Sequence, residues 1–227
     1  MIGSQRILCG QRELLRHDRA TKRRIRQAHF PVIKTLEPFR WDWPTRINRL
    51  QGHNPFHLDV ITAKATLIVR GGGGLGKPPL ATALGSTAGL QGYAVRCASA
   101  LEVIHTLAAA THAGRLNAEL KQDTQPALLL LEEWGYLPID KAGADLLFQV
   151  IARRYEQGAI VMTSHRACKE WPKMFNHDSP RTAAILERLL HHAETVSIEG
   201  KRFRMQDQIA GEPSRHAASP EAHRPCR

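Results

Sequence analysis

"GGGGLGKPPLATALG", residues 71–85, lies between the apolar run "ATLIVR" (65–70) and a stretch of helical character, and its reading decides the fold. Gly71 through Lys77 satisfy the spacing G-x-x-x-x-G-K. In such a loop successive backbone N–H groups curl around phosphate oxygens, a helix N-terminus adds the positive end of its dipole, and the lysine reaches the terminal phosphates. A flexible linker of similar composition does not sit between a buried strand and an apolar helix. The candidate nucleotide-binding residues are therefore Gly71, Gly72, Gly73, Gly74, Leu75, Gly76, Lys77 and Pro78.

Pro78 is the anomaly, because the loop ordinarily has Ser or Thr there, with its hydroxyl on a magnesium ion. Proline removes that ligand and a backbone N–H, and it pushes the preceding Lys77 away from helical dihedrals. Pro79 removes a second N–H. Charge-assisted hydrogen bonds are worth about 1.5–3 kcal/mol each, so the expected loss of nucleotide affinity runs from about tenfold to several thousandfold. The first turn of a helix tolerates proline, so the fold is expected to survive.

Outward from the loop, strand-like and helix-like pieces alternate. "YAVRCAS" (93–99) has strand character; "SALEVIHTLAAA" (99–110) opens with Ser99 and Glu102 in capping-box register. "ALLLL" (127–131) reads as a buried strand, "DKAGADLLFQVIARRYEQG" (140–158) as a helix capped by Asp140, and "AIVMTS" (159–164) as another buried strand. This alternation predicts an α/β fold with a parallel sheet covered on both faces. A helix is expected from about Arg181, followed by a closing hairpin of "ETVSIEG" and "KRFRM" turned at Glu199 and Gly200. The segment "PFRWDWPTRINRLQ" (38–51) reads as a connector, and the tail from about Gly211 as disordered. The domain reading is a basic helical extension and connector over 1–50, a core over 51–208 and a tail over 209–227.

Three further stretches carry candidate chemistry. "LLLLEEWGYLP" ends a buried strand in two acids, the place where phosphate-loop ATPases hold the metal shell and polarise attacking water; Glu132 is the candidate metal residue and Glu133 the candidate general base. "AIVMTSH" places Thr163, Ser164 and His165 at the end of the next strand, where polar groups would orient that water. Arg188, in "LERLLHHA", is a candidate for stabilising transition-state charge on a neighbouring subunit. His191 and His192 are adjacent, hence expected to point in different directions on a helix and to serve packing rather than metal binding.

Composition bounds the partners. Lys and Arg outnumber Asp and Glu by 32 to 21, and residues 1–50 hold 12 basic against 4 acidic side chains, so +8 of the net +11 lies there. Such an excess attracts a polyanion, nucleic acid being the usual one. Cysteines 9, 97, 168 and 226 have no C-x-x-C spacing, which argues against a zinc site or disulfide framework and fits a reduced, cytoplasmic compartment. The longest apolar run is strand-length, so no membrane partner is expected.

The blocks "FPVIKTLEPFRWDWP", "GKPPLATALG", "EEWGYLPIDKAGADLLFQVIARRYEQGAIVMTS", "EWPKMFN" and "ERLLHHAETVSIEGKRFRM", in this order over about residues 28–208, resemble the IstB-like transposition helper ATPases of bacterial insertion sequences, relatives of DnaC-type helicase loaders. The resemblance implies an AAA+ P-loop core of three layers with an N-terminal helical extension, ATP and Mg2+ as ligands, nonspecific binding of double-stranded DNA by a homo-oligomer, and a transposase partner from the same element. It also exposes departures. The family has Lys-Thr where this chain has Lys77-Pro78, Asp-Glu where it has Glu132-Glu133, and usually Asn where it has His165. The expected function is an ATP-binding transposition helper with impaired hydrolysis. A noncatalytic DNA-binding or scaffold protein from a decayed element copy, and a helicase loader, stay open as alternatives.

Overall fold

The apolar runs become strands of one sheet in a computed structural model that describes residues 19–30, 46–49, 58–136, 138–175 and 180–199. The strands are β1 (Arg46–Arg49), β2 (Thr66–Gly71), β3 (Val95–Ser99), β4 (Leu128–Trp134), β5 (Ala159–Ser164) and β6 (Ala193–Glu199). Their order is β1-β6-β2-β5-β4-β3. Neighbours from β6 to β3 are parallel, and β1 alone pairs antiparallel, on β6.

Period-two alternation splits the strand residues between two cores, one on each face. Leu129, Leu131, Ile160 and Met162 enter one cluster, while Leu128, Leu130, Ala159 and Val161 enter the other. All these residues are buried, as continuous apolar strands of a parallel sheet covered on both faces must be. The first face is covered by helices α4 (Ala100–His112), α5 (Leu116–Thr124), α6 (Lys141–Arg154) and α8 (Pro180–His191), with the short α7 (Trp171–Met174) beside them. The second is covered by α3 (Lys77–Leu90) and the one-turn α2 (Asp59–Thr62). Helix α1, over 19–27, sits outside α3: Ile25 approaches Gly89, and Ala28 O accepts a hydrogen bond from Cys97 N at 2.8 Å.

Local signals account for the helix starts. The Ser99 hydroxyl accepts from Glu102 N at 3.1 Å and the Asp140 carboxylate from Gly143 N at 2.8 Å, so both caps foreseen from sequence form. Gly85, in the middle of α3, is explained by contact rather than propensity. A Cβ there would lie 2.6 Å from Leu130 Cδ1 and 2.9 Å from the Phe30 ring, so any other residue would make those side chains shift where α3 seats against β4.

Two expectations change, and a third falls outside the described residues. Lys77 is the first residue of α3 despite the proline after it, because Leu80 N bonds Gly76 O at 3.1 Å and the turn closes around the two rings. Residues 46–49, read as connector, form β1. β6 is flanked by β2 and β1; "KRFRM", the second arm of the expected hairpin, lies outside the described residues, as do Trp41, Trp43 and the tail.

The turn joining α6 to β5 is built around Arg154, which has no exposed surface. Its guanidinium donates to the carbonyls of Asp123 (3.0 Å), Pro126 (2.9 Å) and Ala159 (2.6 Å), tying α5, the entry to β4 and the entry to β5 together. Burial pulls its pKa down to about 10, with the Asp123 charge opposing, so it stays a cation at neutral pH. Arg154→Met should lower the unfolding free energy by about 3 kcal/mol, because several buried carbonyls lose their donor. Urea denaturation followed by far-UV circular dichroism measures this, and a loss below 1 kcal/mol would show that water replaces the guanidinium.

Candidate nucleotide-binding site at the strand ends

The parallel register aligns the ends of β2, β5 and β4 along one edge of the sheet, with β5 between the other two. In open α/β sheets that carboxyl edge is where ligands bind. The glycine loop leaves β2, the two acids lie at the end of β4, and His165 follows β5.

In the loop, Gly74 and Gly76 take φ values of 79° and 82°, the left-handed region open to glycine, and Gly76 becomes the N-cap of α3. Of the four N–H groups that a helix start leaves without partners, those at Gly76 and Lys77 remain; Pro78 and Pro79 have none. Lys77 is buried and folds back over the loop, its Nζ donating to Gly71 O at 2.8 Å and Gly72 O at 2.7 Å. Burial lowers its pKa. The ammonium is thus held over the loop by two carbonyl oxygens that a phosphate, carrying full negative charge, would displace.

The acid pair sits on an irregularity. Register between β4 and β5 shifts between Leu131 and Trp134, and Glu133 adopts a φ of 59°, which costs a non-glycine residue energy. The neighbouring strand holds this bulge. Thr163 Oγ1 accepts from Glu133 N at 3.1 Å, and Ser164 Oγ donates to Trp134 O at 2.9 Å. Behind it Trp134, fully buried, packs edge-on to Trp171 at 5.7 Å and Phe175 at 6.1 Å between ring centroids. The hydroxyls of Thr163 and Ser164 thus shape the bulge that presents the acids. Glu133 is exposed, whereas Glu132 is half-buried with its Oε1 sealed from solvent and lacking a hydrogen-bond partner. Burial and the adjacent Glu133 charge raise the Glu132 pKa, while a hydrogen bond from Thr82 works against them. Thr82, a buried α3 residue, went unnoticed in the sequence because a lone threonine in a helix carries no signal.

His165 is exposed and packs edge-on against Tyr136 at 5.7 Å. Desolvation, Arg166 and Lys77 all lower its pKa, with Glu170 opposing, so the ring is neutral at pH 7 and offers one donor and one acceptor. Lys77, Glu132, Glu133 and His165 thus share one edge of the sheet. Arg188 does not join them. It lies in the last turn of α8, just before His192, whose carbonyl accepts from Thr66 N at the opposite end of β2. Its guanidinium rests over Phe148 (5.2 Å) and Tyr155 (6.0 Å) and donates to Ala184 O. Any role for it at a phosphate requires a second copy of the chain.

The histidine pair also departs from expectation. His192 lies past the last residue of α8, so the helical rotation that should separate the rings does not apply, and their centroids are 4.1 Å apart.

Comparison with known proteins agrees with this geometry. Residues 5–211 match the family model described as IstB-like ATP binding protein. The chain is 36% identical over 193 residues to a Pseudomonas aeruginosa protein named for ATP binding and for insertion sequence IS21, covering 85% of this chain and 72% of that one. A Geobacillus stearothermophilus protein named likewise for insertion sequence IS5376 is 32% identical over 184 residues, covering 81% and 73%. Among solved structures, AMPPCP-bound DnaA from Aquifex aeolicus superposes with a TM-score of 0.58 at 20% identity over 80% of this chain, which spans only 56% of DnaA's length. The DnaC helicase loader superposes with a TM-score of 0.53 at 17% identity, covering 66% of this chain and 94% of the loader. These neighbours carry the AAA+ P-loop fold. With that fold, a phosphate loop at its strand edge and a match over nearly its whole length, the chain belongs to the family of IstB-like ATP-binding proteins of insertion sequences.

Proposed function

We propose that this protein is an ATP-binding helper of DNA transposition whose own hydrolysis is slowed by Pro78, and which binds double-stranded DNA with little sequence preference alongside a transposase. The observation that carries the reading is Lys77, buried and held over a glycine loop that still curls into the start of α3. Backbone amides of the loop would grip the phosphates, and the Lys77 ammonium would exchange its carbonyl partners for phosphate oxygens.

The donor set fits a magnesium ion through a single protein carboxylate. Glu132 presents a sealed carboxylate oxygen without a partner, the kind of atom a hard cation or its bound water satisfies, while Pro78 offers no side-chain oxygen. Bound there, the ion would neutralise charge on the phosphates. Glu133, exposed on its bulge, would take the proton of the attacking water, and neutral His165 would position that water through its donor and acceptor. Arg188 would act only on a phosphate held by a neighbouring subunit of a homo-oligomer.

For DNA, the supporting feature is α1. It carries Arg19, Lys22, Arg23 and Arg26 on exposed positions while Ile25 is turned to α3. Phosphate contacts from such a surface are salt-dependent and indifferent to sequence. The second reading, a scaffold that binds DNA without turning over nucleotide, is favoured by Pro78 alone.

Titrating the purified chain with ATP separates the two. Saturable, magnesium-dependent binding is expected, weakened at least about tenfold by Lys77→Ala. No saturable binding at millimolar ATP would leave the scaffold reading. Pro78→Thr should raise hydrolysis by roughly 10-fold to 100-fold in a phosphate-release assay, and an unchanged rate would show that proline is not the limiting defect.

Glu132→Gln gives a prediction with a pH signature. A raised carboxyl pKa means that the folded state pays to ionise Glu132, so the penalty is present at pH 7 and fades as pH falls through the raised value and below the ordinary 4.5. The variant should therefore melt at a higher temperature than wild type at pH 7, converge with it near pH 4, and lose magnesium-dependent ATP binding. Calorimetric scans across pH check the sign.

A further inference from the structure

At the opposite end of the sheet from the phosphate loop, the turn after α6 meets the junction of α8 and β6. Glu156, His191 and His192 converge there, all three exposed, each with a ligand atom within 4.8 Å of the others'. His192 Nε2 lies 3.5 Å from Glu156 Oε1. The His191 ring is already steadied: its Nδ1 shares a hydrogen bond with the Tyr155 hydroxyl at 2.8 Å, the kind of outer bond that orients a metal-binding imidazole. The three side chains border an open cleft of about 450 Å3 that also takes in Glu194 and Lys64.

We infer that Glu156, His191 and His192 form a second cation site, separate from the nucleotide's magnesium, that takes a zinc-class divalent ion through two imidazoles and one carboxylate. Two nitrogens with one oxygen suit zinc, cobalt or nickel and are a poor match for magnesium, which seeks oxygen alone. Tetrahedral zinc with bonds of about 2.0–2.1 Å spaces its ligand atoms about 3.3 Å apart, so side-chain rotations of exposed groups close the remaining gap. Glu194 and Lys64 border the same cleft, one charge of each sign.

Glu156 supports the assignment from the backbone side. It holds a φ of 57°, where glycine or asparagine is cheaper, and this conformation sets its carboxylate opposite the histidines. An ion bound there would staple the α6–β5 turn to the α8–β6 junction. Because Tyr155 contacts both His191 and the Arg188 guanidinium, the staple would also stiffen the setting of Arg188. The inference does not rest on nucleotide binding and is tested without nucleotide.

The experiment uses the full chain, freed of metal with a chelator and titrated with Zn2+ by calorimetry in the presence of excess Mg2+. One equivalent per chain with a Kd in the micromolar range or tighter is expected, together with a melting temperature raised by roughly 5–10 °C at 100-fold excess over Kd. The double variant His191→Gln, His192→Gln should weaken binding at least 10-fold, and Glu132→Gln, at the other end of the sheet, should leave it unchanged. As a check independent of any variant's folding, Zn2+ on the wild-type chain should protect His191 and His192 from diethyl pyrocarbonate, read by peptide mass mapping. Absence of binding below 100-fold molar excess, or protection confined to other histidines among the 12, would overturn the site.

Discussion

Parallel pairing of β5 between β2 and β4 is the constraint on which the site depends. It places a phosphate loop, a histidine and two acids side by side although about 90 residues separate the first from the last along the chain order β2, β4, β5. The pairing in turn rests on unbroken apolar strands that both faces bury, since only then is the register resistant to slipping. Arg154 contributes from beneath, fastening the entries of β4 and β5 so that their far ends emerge level.

On that frame the site combines stored strain with missing ligands. The Glu133 backbone is held in an unfavourable conformation by the Thr163 hydroxyl and by the aromatic packing of Trp134, and strain of this kind persists only where the surroundings impose it. The machinery that presents the acids is therefore intact. At the loop, in contrast, the two prolines occupy first-turn positions whose amides no helix bond requires, so the helix starts as it would without them while the loop offers two fewer N–H groups. At Pro78 the fold tolerates a residue that supplies neither a side-chain hydroxyl nor a backbone N–H.

The two ends of the sheet face different tasks. The carboxyl edge gathers the groups suited to a triphosphate, and the amino edge gathers Arg188 with the Tyr155, Glu156, His191 and His192 cluster. Within one chain the Arg188 guanidinium is held over the Phe148 and Tyr155 rings, at the end of the sheet remote from the glycine loop.

How much of this was legible beforehand follows from how local each signal is. The phosphate loop, the caps at Ser99 and Asp140, the buried strands and the paired acids are written in neighbouring residues, because amide geometry, capping and period-two burial act over a few positions. Family membership followed from the same blocks. Lys77 entering the helix, β1 filling the edge of β6, Thr82 and Thr163 serving the acids, and two adjacent histidines meeting Glu156 were decided only in three dimensions. Each of these depends on which strand pairs with which and where a helix stops, and those choices are made by packing between segments far apart in the chain.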